Sequence, residues 1–485
     1  MGGNYEKGMY NQLMEVMARL DAVEKDLYDE KNGHRDDVER LNAKIDDLTH
    51  ENELLRNDNA RLKSIINNDS SNSSLPPSSD QKSGKAANTY NGRTKTGRRA
   101  GGQTGHKGTT LTKAEVEEKI RSGKCRHEIR TLGKTSPEKY ITKYVVDLKA
   151  ETVITEVRIY ADSRGKFHIP AQYRSDVTYG SNVKALSAAL YSEGVMSNDR
   201  IAAFLNAASG DVLELSEGSI YGFCRKMGQA SAQSIRNLEN GLLNKAVVAT
   251  DATTVTVNGK QNYIRNFSTD ETVVYHAMDS KSIDALKEMD FLNRYSGVLL
   301  HDHETALYHF GTEHAECNVH IIRYLRKNTE ETGNQWSDEM ITLLCEMNKE
   351  RKERKGKGFS CIADDEITAY ENKYRELMEK GIRENKNTSP KYAKSDEKAL
   401  LSRLGKYSHN HLLFLHDFSI PFENNISERD LRKVKNRQKM AGGFRKGSGH
   451  KMYCAILTII ETLKRRKMGI IENLRKLFMG TPAIF

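Results

Sequence analysis

The sequence lacks long apolar runs and closely spaced cysteines, and each absence excludes a class of protein. No apolar stretch approaches the roughly eighteen residues that a membrane span needs, and the N-terminus has no apolar core of a signal peptide. The six cysteines are scattered without a CxxC pair, which excludes a disulfide framework and a zinc ribbon. We therefore expect an intracellular protein without a membrane partner, and at 485 residues we expect more than one domain.

Acidic residues are absent from one part and scarce in another part of a chain whose formal net charge is +10. None occurs between Gln81 and Ala114, and only three occur between Arg429 and Lys476, against fifteen Lys and Arg residues. Dense positive charge of this kind is typical of surfaces that bind phosphate backbones. The first of these basic segments is also rich in glycine, which predicts an arm that binds DNA through Arg98, Arg99 and Lys107. The alternatives are a solubilising spacer for this arm and a solvated helical face for the C-terminal block.

Leucines recur at every seventh position of the N-terminal segment. The series runs from Leu13 to Leu62 and is interrupted only by His34. Four residues after each leucine of the second half come isoleucine or asparagine, as expected for a positions of a heptad repeat whose d positions are leucine. The pattern predicts a parallel homodimeric coiled coil. The alternative is an amphipathic helix packed on its own domain.

Two strand-like runs in the middle of the chain each end near an aspartate. AVVATDATTVTVNG contains Asp251, and SGVLLHD ends at Asp302. Carboxylates at the ends of neighbouring buried strands can converge on divalent cations. An Asn-Gly turn, a third strand and a helix-like segment, Ser282–Tyr295, separate the two runs. This order is found in ribonuclease-H-like folds, an analogy at the level of the fold.

A third carboxylate is predicted on a basic helix near the C-terminus. The helix is expected from Ile426 to Gln438, with Glu428 in its first turn. The basic residues of this helix are expected to bind DNA: Arg429, Arg432, Lys433 and Arg437. Glu423 is the rival third carboxylate.

The remaining segments carry weaker signals. Period-two alternation over residues 140–161 predicts a hairpin in a small β module. Three short helices, expected to begin at Ser181, Ser197 and Ser219, are compatible with a helix-turn-helix reader of DNA and with a packing bundle. The Lys- and Glu-rich stretch Trp336–Leu401 predicts a helical insertion between the second and third carboxylates.

Four motifs in this order resemble the insertion-sequence-66 family of DDE transposases: NSSLPPSSD, GGQTGHKGTTL, CNVHIIRYL and ENNISERDLR. The resemblance implies a catalytic and metal-binding triad of Asp251, Asp302 and Glu428, holding two Mg²⁺ or Mn²⁺ ions. It further implies a family motif at Cys317, His320 and Arg323, and small accessory proteins of the same element as possible partners. Two departures stand out. Of the family's zinc module only Cys125 remains, so no zinc is expected, and Ala252–Thr254 replace the usual Glu-Thr-Pro.

The resulting expectation is an α/β multidomain protein with a ribonuclease-H-like catalytic core, cytoplasmic and associated with the bacterial nucleoid when bound to DNA. Its predicted parts are a leucine zipper (1–68), a basic arm (69–114), a β module (115–175), a helical region (176–240), the first part of the core (241–325), a helical insertion (326–415), the third-carboxylate helix (416–445) and a basic helical C-terminal region (446–485). The predicted activity is metal-dependent DNA cleavage and strand transfer. The alternatives are a catalytically inactive DNA-binding dimer and a nuclease that does not join strands.

Overall fold

The computed structural model describes residues 3–68, 72, 111–132, 141–148 and 150–481. The chain divides into two compact units. The first combines Met1–Gly84 with Asn318–Phe418, and the second combines Lys85–Cys317 with Ser419–Phe485. Each unit is therefore built from two separate stretches of sequence. Within the described ranges, no helix combines the length and apolarity that crossing a bilayer requires.

The first unit begins with one long helix, α1 (Gly3–Asn67). It continues without a break past His34, the position that interrupts the leucine series, and its leucines are exposed. Near its C-terminal end α1 contacts other helices of the same unit through Asn57, which accepts a bond from the backbone N–H of Lys391 (3.2 Å), and through Ser64, which hydrogen-bonds Glu331. In the predicted heptad both are f positions, on the face opposite the leucines. The leucine seam therefore stays clear of the unit's other helices.

The rest of the first unit is helical, as predicted for the insertion, although it starts at Asn318 and not at residue 326. Its helices are α9 (Asn318–Thr332), α10 (Gln335–Gly356), α11 (Asp364–Asn385), α12 (Lys391–Lys406) and α13 (Ser408–His416).

A buried carboxylate, Glu397, joins four of these helical segments. It accepts hydrogen bonds from the indole of Trp336 (2.6 Å) and from Asn334, Asn328, Asn385 and Thr388. Burial alone raises the pKa of this group, but the hydrogen bonds lower it below the ordinary value of 4.5. Glu397 is thus held in its charged form by neutral donors, and the charge keeps them in place.

The second unit contains a five-stranded mixed sheet in the order β3-β2-β1-β4-β5. The strands are β1 (Val247–Val257), β2 (Lys260–Ser268), β3 (Val273–Met278), β4 (Val298–His301) and β5 (Glu313–Glu316). The first three are antiparallel neighbours, and β4 and β5 add in parallel on the other side of β1. The predicted Asn258-Gly259 turn joins β1 to β2, and both residues have the positive φ that a two-residue hairpin needs.

Helices bury both faces of this sheet. These helices are α3 (Ser181–Ser192), α4 (Asn198–Ala208), α5 (Glu217–Ala230), α6 (Ala232–Leu243), α7 (Ile283–Lys287), α8 (Asp290–Arg294), α14 (Asn425–Ala441), α15 (Gly447–Arg465) and α16 (Ile470–Phe478). One core holds Val273 and Tyr275 together with residues of α3–α5 and α14–α16, and a second holds Val274 with residues of α6–α8. A further helix of this unit, α2 (Lys113–Arg121), contributes no residue to these cores. The edge strand β3 is capped by α15, whose Thr458 and Thr462 hydroxyls accept the backbone N–H groups of Tyr275 and Val273.

Several local predictions are wrong. The described residues between 141 and 160 form no strand, and Ala161 makes only an isolated bridge to Phe167. Most of the apolar side chains described there are exposed, and Val145 is 92% exposed. The helix predicted over Ser282–Tyr295 is two short helices, α7 and α8. The N-cap residues of α3 and α5 are Gly180 and Ser216, so these helices do not begin as predicted at Ser181 and Ser219. Ser197 is the N-cap residue of α4, although its side chain makes no capping hydrogen bond.

The charge of Glu397 is expected to stabilise the insertion helices. Glu397→Gln removes the charge and presents an amide N–H₂ to groups that are themselves donors, which should cost about 2 to 3 kcal/mol. Because the indole of Trp336 bonds Glu397 and is the chain's only tryptophan, urea unfolding followed by its fluorescence reports on this site directly.

The pKa of Glu397 is lowered, so its contribution is complete above about pH 4.5 and is lost as the pH falls through the native pKa. The difference between Glu397→Gln and the wild type should therefore shrink in acid. Asp396→Asn, at a mostly exposed neighbour, is the matched control. Equal unfolding midpoints at pH 7 for Glu397→Gln and the wild type would contradict the assignment.

Candidate active site

The two predicted aspartates lie on adjacent parallel strands of the sheet. Asp251 lies within β1, and Asp302 is the first residue after β4. The register pairs Ala249 with Leu300, and two residues further along each strand bring Asp251 level with Asp302. Burial raises the pKa of Asp251 to about 7, and the charge of Asp302 adds to this rise. The two carboxyl groups therefore interact closely.

A buried amide, Asn266, links Asp251 to the helix that carries Glu428. Asn266 faces Asp251 across the β1–β2 ladder, and its Oδ1 accepts the backbone N–H of Asp251 (3.1 Å). The same oxygen accepts the Ser427 hydroxyl (2.7 Å), and its Nδ2 donates to the Ser427 carbonyl (3.2 Å). Glu428 follows Ser427 in the first turn of α14. One side chain thus joins the backbones beside the first and third predicted carboxylates.

A second buried amide fixes the start of α14. Asn424, the N-cap residue, donates from Nδ2 to the carbonyl of Thr250 (3.0 Å), directly before Asp251. Its backbone N–H donates to Sγ of Cys317 (3.2 Å), directly after β5. The first turn of α14 is therefore attached to two strands of the sheet.

A buried ion pair holds the next part of α14. Both carboxylate oxygens of Asp430 accept from Arg465 of α15 at 2.5 Å, and Oδ2 also accepts the Ser268 hydroxyl at 2.7 Å. The carbonyl of Asp430 accepts the hydroxyl of Tyr275 (3.4 Å). Since a buried charge is costly unless it is paired and hydrogen-bonded, this arrangement strongly favours one position of the helix.

Three cations that were not among the predicted site residues act on Asp251: Arg265, Lys281 and Lys435. Arg265 has no exposed surface, donates to the hydroxyl of Thr250 (3.1 Å) and forms an ion pair with Glu304. Lys435 of α14 donates to the carbonyl (3.1 Å) and hydroxyl (3.0 Å) of Thr254. Burial lowers the pKa of Lys435, and the negative charge of Asp251 opposes this effect. The one available sequence signal for Lys435 was its place two turns after Glu428.

The predicted DNA-binding residues of α14 divide into two groups. Arg429 and Arg432 are exposed, and Arg432 lies 3.7 Å from Glu428. Lys433 instead forms an ion pair with the buried Glu461 of α15. Arg437 departs from the expectation, because it is buried with its guanidinium over the ring of Tyr191 (4.1 Å) and donates to the carbonyl of that residue. Of the exposed basic face that was predicted, Arg429 and Arg432 remain. The predicted arm residues Arg98, Arg99 and Lys107 lie outside the described residues.

The other residues of interest occupy defined places. Cys317 is buried and accepts from Asn424, as described above. His320 and Arg323 both lie in α9 of the first unit, and Nη1 of Arg323 donates to Nε2 of His320 (3.0 Å). Glu423, the rival third carboxylate, precedes the N-cap of α14 and so lies outside the helix.

The three predicted ligands, Asp251, Asp302 and Glu428, are all carboxylates. They offer only oxygen, the donor atom that Mg²⁺ and Mn²⁺ prefer. The raised pKa of Asp251 reflects burial next to another negative charge, an unfavourable arrangement that a cation would relieve.

Comparison with known proteins defines the class of this chain as a transposase. Residues 178–452, more than half of its length, match the family described as Transposase IS66 family. The chain therefore belongs to the IS66 family of transposases, and membership supports a transposase function with DNA as its partner. Residues 12–112 also match a family of unknown function, DUF6444. No curated protein matches the chain.

Replacing Asp251 by asparagine is expected to stabilise the metal-free protein. Its pKa is raised from 3.8 to about 7, so at pH 8 the ionised carboxylate costs free energy in the folded state. Asp251→Asn should then increase the free energy of unfolding by about 2 kcal/mol, a rise of a few degrees in Tm. As the pH falls from 7 towards the unfolded-state pKa of 3.8, the penalty on the wild type declines, so the difference between the variant and the wild type should be smaller at pH 5.5 than at pH 8.

Calorimetry in EDTA at pH 8 and pH 5.5 tests this expectation. Asp284→Asn, at an exposed position of α7, is the control and should leave Tm unchanged at both pH values. A lower Tm for Asp251→Asn than for the wild type at pH 8 would rule the interpretation out.

Proposed function

We propose that this chain cleaves and joins DNA strands at the ends of an insertion element, using Asp251, Asp302 and Glu428 as its catalytic carboxylates. The observation that carries the proposal is the bridge through Asn266, because it joins the backbone of Asp251 to the residue before Glu428. Two segments that carry predicted carboxylates, far apart in sequence, are thereby hydrogen-bonded to the same buried side chain. The strand order of the sheet supports a ribonuclease-H-like core for this catalysis.

The three carboxylates would hold two divalent cations. When bound, Mg²⁺ or Mn²⁺ would activate the attacking water or 3′-hydroxyl and stabilise the leaving oxygen. The chain's own residues orient the ligands: Asn266 and Asn424 fix the backbone beside Asp251, and the Asp430–Arg465 ion pair fixes α14. No covalent intermediate is needed, so no Ser, Tyr or Cys nucleophile is assigned.

The charges around the site suit a polyanionic substrate. Four carboxylates and four cations of the second unit lie in and around it: Asp251, Asp302, Glu304, Glu428, Arg265, Lys281, Arg432 and Lys435. Formal charge is thus balanced before metal binds. Two divalent cations would create an excess of positive charge, which attracts phosphates. The exposed Arg429 and Arg432 extend this positive surface along α14.

The departure from the family's usual residues at Ala252–Thr254 has a structural counterpart. Thr254 accepts both hydrogen bonds that hold Lys435, and the N–H of Ala252 donates to Oδ1 of Asp251 (2.6 Å). These residues therefore position groups beside Asp251 in this chain.

We further propose that two copies pair through α1 as a parallel coiled coil. The support is that the outer face of α1 is used within the first unit, by Asn57 and Ser64, while the leucine seam is exposed. A coiled coil buries leucines at d positions against a second helix. Dimerisation would bring two active sites to one pair of element ends.

The proposed activity is tested on a plasmid that carries this gene with its flanking DNA, incubated with protein and Mg²⁺ or Mn²⁺ and a target plasmid. We expect cleaved and joined products that vanish in Asp251→Asn, Asp302→Asn and Glu428→Gln, since each removes a metal ligand. Glu423→Gln is the matched control and should retain activity. Cuts without joining would favour the nuclease, and binding without cutting would favour the inactive regulator.

The coiled coil is tested with two neighbouring leucines of equal exposure. Leu54 and Leu55 are each 55% exposed, but in the heptad Leu54 is at c and Leu55 at d. Leu55→Asp should convert the dimer to a monomer in light scattering, because it places a charge in the seam, whereas Leu54→Asp should remain dimeric. The proposal is wrong if both variants have the same mass.

A further inference from the structure

Lys281 lies beside the candidate active site on a segment that sequence analysis assigned no role. It follows β3 and precedes Ser282, the N-cap residue of α7. Its Nζ lies 3.7 Å from Oε2 of Glu304 and 5.6 Å from the ring centre of Tyr263, and about a third of the side chain is exposed (35%). The ammonium group is therefore partly open to solvent, and its ion-pair contact is with Glu304.

That carboxylate already has a closer cationic partner. Glu304 forms an ion pair with Arg265, whose side chain is completely buried and is also bonded to Thr250. Because a buried guanidinium that loses its carboxylate partner is strongly destabilised, we expect Arg265 to keep its ion pair with Glu304. Lys281 is thus the second cation on one carboxylate, and its longer contact leaves its charge available to another anion.

The surroundings of Lys281 connect it to both aspartates. The backbone N–H of Glu304 donates to the carbonyl of Asp302 (2.5 Å), and Thr250, which contacts Arg265, precedes Asp251. The charge of Lys281 acts on both Asp251 and Lys435. Lys281 and Lys435 therefore act on Asp251 from two elements, the segment after β3 and helix α14.

We propose that Lys281 binds a backbone phosphate of the DNA strand held at Asp251, Asp302 and Glu428. This inference rests on the proposed function. A lysine suits the task because its ammonium is a flexible point charge with three donors, so it can leave Glu304 for a phosphate without a fixed geometry. On binding DNA, Lys281 exchanges a 3.7 Å contact with a carboxylate that Arg265 already neutralises for an ion pair with the phosphate.

The test compares Lys281→Gln and Lys281→Arg with Lys287→Gln. Lys287 lies on neighbouring α7, is well exposed and pairs only loosely with Asp284 at 3.8 Å, so it is the matched control. Binding is measured as the anisotropy of a fluorescein-labelled duplex of the flanking DNA, with Ca²⁺ in place of Mg²⁺, over a range of salt concentrations. Strand cleavage is measured on the plasmid described above.

For Lys281→Gln we expect about tenfold weaker binding and a slope of log K against log salt that is smaller by about 1, as for the loss of one phosphate contact. Lys281→Arg should restore the slope, and Lys287→Gln should match the wild type. A lysine that only supports the fold would lower Tm and leave the slope unchanged. An unchanged slope in Lys281→Gln therefore overturns the inference.

Failure of this inference differs from failure of the proposed function. If Asp251→Asn is inactive while Lys281→Gln binds and cleaves like the wild type, only the role of Lys281 is wrong. If Asp251→Asn still cleaves and joins DNA, the catalytic assignment itself fails, and the inference on Lys281 fails with it.

Discussion

The side-chain amide of Asn266 is the contact on which the candidate active site most depends. It is buried between β1 and α14, where one of its atoms accepts from both Asp251 and Ser427 and the other donates to Ser427. A buried amide without these partners would carry a large desolvation cost. The strand that carries the first carboxylate and the helix that carries the third are therefore attached at one point, although 161 residues separate Asn266 from Ser427.

Buried polar groups serve the same purpose elsewhere in the second unit. Asp430 with Arg465 attaches α14 to α15, and Arg265 with Glu304 attaches β2 to the segment after β4. An apolar contact tolerates sliding, whereas a buried charge that loses its partner is penalised heavily. Groups of this kind give a strand-and-helix site the defined geometry that metal binding requires.

In the first unit, a buried polar group holds helices together. Glu397 gathers donors from helices that are distant in sequence, and the outer face of α1 contacts the same unit through Asn57 and Ser64. The insertion interrupts the second unit in sequence between Cys317 and Ser419, yet it carries its own polar centre. That centre is suited to hold these helices together while the seam of α1 remains exposed.

The sequence by itself determined the elements with a strong local signal. The heptad leucines predicted the helix α1, the Asn258-Gly259 pair predicted the first hairpin, and a helix was predicted over Ile426–Gln438, where the structure has α14 at Asn425–Ala441. Each signal depends on neighbouring residues alone. The motif order also identified the family, which the match over residues 178–452 confirms.

Only the tertiary structure decided which residues surround those elements. Arg437 and Arg432 look alike in the sequence, but packing buries Arg437 against Tyr191 and leaves Arg432 exposed. Likewise, the alternation near Val145 looks like a strand, and no described neighbour pairs with it. Lys281 and Asn266 carried no motif at all. Burial and pairing depend on residues far away in the chain, and a local pattern contains no information about which distant group will lie beside it.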